Sequence, residues 1–329
     1  MPLLEVNSLA VDYRTSRGTV HAVEDVSMSL EKGETLGLAG ESGSGKSTLG
    51  LSIIRLVPYP GVIVKGQIKI DGTDILKLPE SQLYSIRGKK VAYVFQDPMI
   101  SLNPVKKIGA HFTELIRTHE PTTNEKEAFK RAKSILENLG ILPERIDDYP
   151  HQFSGGMRQR IMIGLAIALN PSLVIADEPT TALDVIVQAR ILDLLENLRR
   201  EYGMALILIS HDLSIILERC DKIIVMYAGH VVEYANSKEL YRKPTHPYTK
   251  GLLQSIPNIE LADQKLSAIP GAPPSMLTPP KGCRFWPRCS NADEKCSVKE
   301  PPLVKVGPDH YVRCFAEKEG ANSERNSKS

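Results

Sequence analysis

The sequence predicts an α/β fold built on a mostly parallel sheet, with an antiparallel lobe, a helical lobe and a small cysteine-rich C-terminal extension. Three observations carry that prediction. Short apolar runs alternate with helix-length amphipathic segments, the pattern of strands covered on both faces by helices. A glycine-rich stretch at residues 40 to 47 stands between one such run and a helical segment. Ten of the 23 prolines fall between Pro257 and Pro308, and four of the five cysteines share that neighbourhood.

Residues 3 to 30 alternate apolar and polar positions, as in Val20, Ala22, Val23, Val26, Met28 and Leu30, with Arg17-Gly18 between two runs. That alternation predicts the antiparallel lobe. Thr35 to Ala39 is a short apolar strand, Lys46 to Leu56 a helix, and Val64 to Ile70 a strand ahead of the turn Asp71-Gly72. From Val105 to Ala168 the pattern is helical. Its clearest helix runs from Asn124 to Leu139, where Asn124 and Glu127 form a capping-box pattern, Ala128, Ala132, Ile135, Leu136 and Leu139 share one face, and Gly140 is a stop signal. Buried parallel strands follow at Leu173–Ala176, Ala205–Ile209 and Ile223–Met226, with a helix at Val187–Arg200 between the first two. The compositional shift between residues 240 and 280 divides a large domain, 1–240, from an extension, 241–329. The polar end, Glu319 to Ser329, is expected to stay disordered.

Of the 329 residues, 42% are hydrophobic and 24% charged, with 41 Lys and Arg against 39 Asp and Glu and a net charge of +2. No bulk basic field marks nucleic acid as the main partner. The longest apolar runs, such as Ile161–Leu169, fall short of the roughly 18 residues of a membrane-spanning helix. The start, Met1-Pro2-Leu3-Leu4-Glu5, has no basic region ahead of an apolar one, so a cytoplasmic location is expected. In that compartment structural disulfides are not expected. Cys220, alone after a helical segment, reads as a small buried apolar residue.

Gly40, Glu41, Ser42, Gly43, Ser44, Gly45, Lys46 and Ser47, with Thr48 following, fit G-x-x-x-x-G-K-[ST] between a strand and a helix. The glycines let successive backbone N–H groups close on phosphate oxygens, at a helix N-terminus whose dipole favours anions. Lys46 is expected to reach the β and γ phosphates and Ser47 to ligate Mg²⁺. The run Leu173–Ala176 delivers the carboxylates of Asp177 and Glu178 to the carboxyl end of its strand, where ligands sit in open α/β sheets. Asp177 is then a metal-shell residue and Glu178 the general base for attacking water. His211 follows the next strand and is assigned to the γ-phosphate.

Phe153-Ser154-Gly155-Gly156-Met157-Arg158-Gln159 is similar to the signature motif of ABC-transporter ATPases, with Phe and Met where Leu and Gln are usual, a variant that resembles the peptide-importer ATPases. The resemblance covers residues 3 to about 235. It implies a P-loop cassette with a RecA-like core. It also implies that Tyr13 stacks on adenine and that Gln96 senses the γ-phosphate, the Mg²⁺ ion and the membrane partner. Asp184, in Thr181-Ala182-Leu183-Asp184, belongs by the same resemblance to a loop that crosses between subunits, with a helix cap as the alternative. Ser154, Gly155 and Gly156 would complete the site of a second ATPase subunit, identical or homologous, with ATP sandwiched between the two.

Cys283, Cys289, Cys296 and Cys314 follow the spacing C-x₅-C-x₆-C-x₁₇-C. Four thiolates hold either Zn²⁺ or a [4Fe-4S] cluster, and gaps of five and six suit the larger cluster better than a zinc knuckle. Free thiols are the third reading. The segment from Gly271 to Cys289 also resembles the C-terminal extension of oligopeptide and dipeptide ABC-importer ATPases, where such cysteines bind an iron–sulfur cluster. Trp286 and Phe285 would shield it, and Arg284 and Arg288 would either offset its charge or form a solvated basic face. Because the extension lies beyond the P-loop, Asp177, Glu178 and His211, ATP binding is expected to be independent of it.

These readings converge on an ATPase subunit, peripheral on the cytoplasmic face of the membrane, that powers a bacterial or archaeal peptide importer. Two integral permease subunits and an extracytoplasmic solute-binding protein are the implied partners. Oligosaccharide or nickel are alternative cargoes. The rival is a soluble cassette acting on ribosomes or nucleic acid, a class that generally carries two cassettes or a long coiled-coil insertion; this sequence has neither.

Overall fold

A computed structural model describes residues 1–181, 183–256 and 269–315. The polar end from Glu319 and the residue Ala182 lie outside the described residues. In chain order the first elements are β1 (Leu4–Thr15), β2 (Gly18–Leu30), β3 (Thr35–Ala39), α1 (Lys46–Ile53), β4 (Gly61–Ile70) and β5 (Thr73–Asp74). There follow α2 (Glu80–Leu83), β6 (Val91–Val94), α3 (Pro98–Ser101), α4 (Ile108–His119), α5 (Glu125–Asn138) and α6 (Gly155–Ile167). Next come β7 (Leu173–Asp177), α7 (Val185–Tyr202), β8 (Ala205–Ser210), α8 (Leu213–Arg219), β9 (Lys222–Tyr227) and β10 (His230–Asn236). The last are α9 (Ser237–Arg242), α10 (Pro247–Gln254), α11 (Glu294–Val298), β11 (Val304–Gly307) and β12 (His310–Val312).

The chain forms two compact units, the first from Met1–Glu5, Ser29–Glu34 and Lys69–Ile209, the second from Val6–Met28, Thr35–Ile68 and Ser210 onward. In the first unit β6, β7 and β8 pair in parallel, with Val94 opposite Ala176 and Asp177 opposite Ile209. Every residue of β7 and β8 is buried, which explains their unbroken apolar runs. The helical lobe belongs to this unit. Asn124 caps α5 by accepting from the Glu127 N–H at 2.9 Å, and Ala128, Ala132, Ile135 and Leu136 are buried on one face. α4 presents Ile108, Phe112 and Ile116 as its own buried stripe. α7 opens on the Asp184 side chain and stops at Gly203, whose φ of 63° no β-branched residue tolerates easily.

In the second unit β1 and β2 are joined by a tight turn in which Thr15 donates from its hydroxyl to the Gly18 carbonyl at 2.8 Å. β3 pairs in parallel with β9, and β9, β10, β12 and β11 continue antiparallel from it. Helix α1 ends at Ile53, earlier than the expected Leu56, because Arg55 takes a left-handed φ of 51°. The extension is not an appended bead: β12 pairs Val312 with Glu233 of β10, so the residues after the proline-rich stretch add strands beside the cassette's own. Glu233, fully buried, holds this junction, accepting from the Thr245 and His246 N–H groups at 2.7 and 3.0 Å and contacting His310 Nε2 at 2.8 Å. Cys220 is buried, as the sequence predicts. Among the described residues no helix is long and apolar enough to cross a membrane.

Candidate functional site: a phosphate loop, a carboxylate pair and a cysteine module

β3 runs into the loop Gly40–Gly45, and α1 begins at Lys46, the strand–loop–helix order the motif requires. Gly45 caps the helix at φ 103°, and a Cβ there would sit 2.3 Å from the Ala22 carbonyl oxygen, so only glycine closes the turn. Ser42 and Gly43 are exposed at the loop tip. The Lys46 ammonium, buried, donates to the carbonyls of Gly40 and Glu41 at 2.7 and 2.9 Å and reaches Ser44 Oγ at 3.4 Å. These bonds curl the loop around its own cation and leave successive N–H groups at the helix start, which is phosphate chemistry. Thr48 Oγ1 lies 3.2 Å from the Tyr13 hydroxyl, so the Tyr13 ring is tethered beside α1.

In the first unit, Asp177 ends β7 with 5% of its surface exposed and accepts from the Tyr93 hydroxyl at 2.7 Å. Tyr93, on the neighbouring β6, was not singled out by sequence reasoning; its spacing of three residues before Gln96 in an unrecognised strand was the available signal. Glu178 follows in a left-handed backbone, φ 44°, a conformation that strains any residue but glycine. Its Oε2 accepts from Gln96 Nε2 at 3.3 Å and from the Thr181 hydroxyl at 2.9 Å. The structure thus brings Gln96, Asp177 and Glu178 together. His211 directly follows β8 and is exposed, with Lys46 and Ser47 in the second unit. The hydroxyl of Ser47, the carboxylate of Asp177 and the amide of Gln96 are oxygen donors of the kind Mg²⁺ prefers.

The signature residues open α6. Ser154, exposed, caps it by accepting from the Met157 N–H at 3.4 Å, and Gly155 and Gly156 form the first turn. A Cβ on Gly156 would meet Val187 of α7 at 2.6 Å, which fixes glycine there by close approach. The unusual Phe153 and Met157 share one partner: the Arg145 guanidinium stacks over the Phe153 ring at 4.1 Å and donates to the Met157 sulfur at 3.7 Å. Asp184 accepts from the Val187 N–H at 2.9 Å, so its side chain is a helix cap.

All four cysteines of the extension line one small cavity with Phe285, Trp286 and His246. The Cys283 N–H donates to the Cys296 carbonyl at 2.8 Å. Burial pushes the Cys283 thiol up to about 11, reinforced by the three other cysteines, and burial also raises Cys289 and Cys296. Among the described residues no three His, Cys, Asp or Glu side chains are grouped tightly enough to hold one metal ion. The four cysteine thiols lining this cavity are soft donors of the kind that both zinc and iron–sulfur clusters use.

The two arginines of the module are not a solvated basic face. Arg284, 6% exposed, pairs with Glu24 and donates to the Ala228 carbonyl. The His230 ring, 3.7 Å away, and the Arg284 charge hold the Glu24 carboxyl down at about 2. Arg288 makes a two-pronged bond to Glu41 of the phosphate loop, Nη1 to Oε2 at 2.8 Å and Nη2 to Oε1 at 3.1 Å. The expected independence of the loop from the extension therefore meets a direct ion pair.

The family model described as "ABC transporter" matches residues 23–181, and the one described as "Oligopeptide/dipeptide transporter, C-terminal region" matches residues 232–296. The chain is 47% identical to an oligopeptide transport ATP-binding protein, OppD, of Bacillus subtilis, over 95% of this chain and 88% of that protein. It is 45% identical to OppD of Escherichia coli over 95% and 93%. A solved dimeric ATP-binding cassette in a post-hydrolysis state with ADP and Pi superposes with a TM-score of 0.64 at 28% identity, covering 71% of this chain and 98% of that one. A second, cbiO1 of Clostridium perfringens, gives 0.63 at 28% identity, covering 74% and 91%. A phosphate loop, a strand-end carboxylate pair, a serine-capped signature helix and a cysteine-bearing C-terminal region thus lie on one chain in one order. The chain belongs to the ABC-transporter ATPases, in the oligopeptide/dipeptide branch.

Proposed function

We propose that this protein hydrolyses ATP to drive peptide import through a separate membrane permease. The observation that carries the reading is the succession on one chain of an ABC cassette and the oligopeptide/dipeptide C-terminal region, with 45–48% identity to peptide-import ATPases over 95% of the chain. That same succession removes the ground for a cassette acting on ribosomes or nucleic acid.

In this reading the loop residues Gly40 to Thr48 bind the phosphates and Tyr13 takes the adenine. Ser47, Gln96 and Asp177 would hold Mg²⁺, which when bound neutralises phosphate charge. Glu178, aimed by Gln96 and Thr181, accepts the proton of the attacking water, and His211 contacts the γ-phosphate. Ser154, Gly155 and Gly156 present helix-start N–H groups to the nucleotide of a second ATPase subunit, and Asp184 lies in the loop that crosses between the two. Residues 1–240 are the catalytic domain and residues 241–329 the extension. The four cysteines hold a [4Fe-4S] cluster, which supplies a fold-organising core. The protein sits on the cytoplasmic face of the membrane, where its permease pair receives peptide from an extracytoplasmic binding protein.

Affinity purification of the tagged chain from detergent-solubilised native membranes tests this. Recovery of two integral permease subunits with a second ATPase supports the reading. Recovery with ribosomes or DNA instead would overturn it.

A further inference from the structure

We propose that the cysteine module sets the nucleotide affinity of the phosphate loop through Arg288, a positioning residue that binds and neutralises Glu41. The inference rests on the loop binding nucleotide, and not on a metal at the cysteines.

Glu41 is a carboxylate inside a loop whose ligand is a polyanion, an arrangement that opposes binding unless the charge is met elsewhere. Arg288 meets it. Its side chain is 6% exposed, and among the described residues it bonds within the second unit: twice to Glu41, from Nε to the Pro270 carbonyl at 2.8 Å, from Nη2 to the Ile269 carbonyl at 3.3 Å, and from Nη1 to the Tyr227 hydroxyl at 3.3 Å. The guanidinium also lies 5.7 Å from the centre of the Tyr227 ring. A planar fork held on every side fixes the carboxylate in one place. On the other side of Glu41, its N–H donates to the hydroxyl of Tyr248, a fully buried residue of α10. The loop is therefore gripped twice by residues that follow the cassette.

Arg288 is next in sequence to Cys289, in a helical turn, Trp286–Arg288, closed by the Cys289 N–H on the Trp286 carbonyl at 3.2 Å. Whatever fixes Cys289 in the cavity fixes the stem of Arg288. Disturbing Cys289 loosens the turn, releases the guanidinium and leaves the Glu41 charge unmet beside the phosphate loop. This links the cysteine module to ATP affinity through the Arg288–Glu41 pair.

The test is equilibrium binding of fluorescent ATP to the full chain, with ATP, ADP and AMP as competitors. Arg288→Gln is expected to weaken ATP about fivefold, ADP less and AMP least, because the penalty scales with ligand charge. Arg288→Lys should keep most of the affinity. Placed on a Glu41→Gln background, measured as its own reference, Arg288→Gln should have no further effect. Cys289→Ser should weaken ATP as Arg288→Gln does, and that loss should also vanish on the Glu41→Gln background, the non-additivity of residues acting through one pair. An equal loss for all three nucleotides, or a loss that persists with Glu41→Gln, or full affinity in Arg288→Gln or Cys289→Ser, overturns the inference. Failure of the wild-type chain to bind ATP would overturn the ATPase reading itself.

Discussion

The Gln96 side-chain amide donates to the Glu178 carboxylate across 3.3 Å, and this single bond joins the end of β6 to the residue after β7. For the general-base role proposed for Glu178, a fixed direction matters more than a strong partner, and Gln96 with Thr181 provides it. The left-handed backbone of Glu178 turns the side chain out of the strand line that buries Asp177.

Glu178→Gln therefore should preserve ATP binding and reduce steady-state hydrolysis in the assembled complex by ~10²- to 10⁴-fold, the usual loss for a general base. Half of wild-type turnover in the mutant would remove Glu178 from that role.

Ser154→Arg should block the nucleotide site of the partner while its own Lys46 site still binds ATP. Ser154 is exposed and its only described task within its own chain is the cap on Met157, whose loss costs about 1 kcal/mol of helix stability. Mixing the mutant with a Lys46-defective subunit, or following each site separately in a heterodimer, distinguishes the two chains. Loss of binding confined to the mutant's own Lys46 site would contradict the sandwich.

Much of this site was legible before any coordinates because its chemistry is local in sequence. The phosphate loop, the run ending in Asp177-Glu178 and the serine–glycine start of α6 each lie within eight residues, so motif and element coincide. What escaped was non-local. β6, β10, β11 and β12 are short or carry charged residues such as Glu233 and Lys305, which read as solvent-facing until a distant partner buries or pairs them. Glu233 is legible only once His310, 77 residues away, is beside it. Arg288 likewise reads as surface until Glu41 is found opposite it.

Acid should weaken the second unit through His246. This imidazole is 1% exposed, accepts from the Tyr248 N–H at 3.1 Å, and is pushed by burial from 6.5 down to about 4. Between those values the unfolded chain binds a proton that the folded chain refuses, so stability falls as pH drops from about 6.5 toward 4, by up to ~3 kcal/mol. Urea midpoints at pH 7.5 and 5 should separate more for the wild type than for His246→Asn, which keeps a capping side chain without the titration. Equal separations would contradict the assignment.

Protein purified without oxygen should be brown and carry about four iron and four sulfide per chain, the content of a Cys₄-ligated [4Fe-4S] cluster. Cys289→Ser should bleach it. One zinc per chain with no sulfide would replace the cluster with a structural ion.

The most direct measurement is uptake of a labelled oligopeptide into proteoliposomes containing the copurified complex, with the solute-binding protein outside and MgATP inside. The account predicts peptide accumulation with the wild-type chain and none with Glu178→Gln at equal incorporation. Accumulation that is indifferent to lumenal ATP and to Glu178, or ATP hydrolysis with no peptide movement, would contradict it.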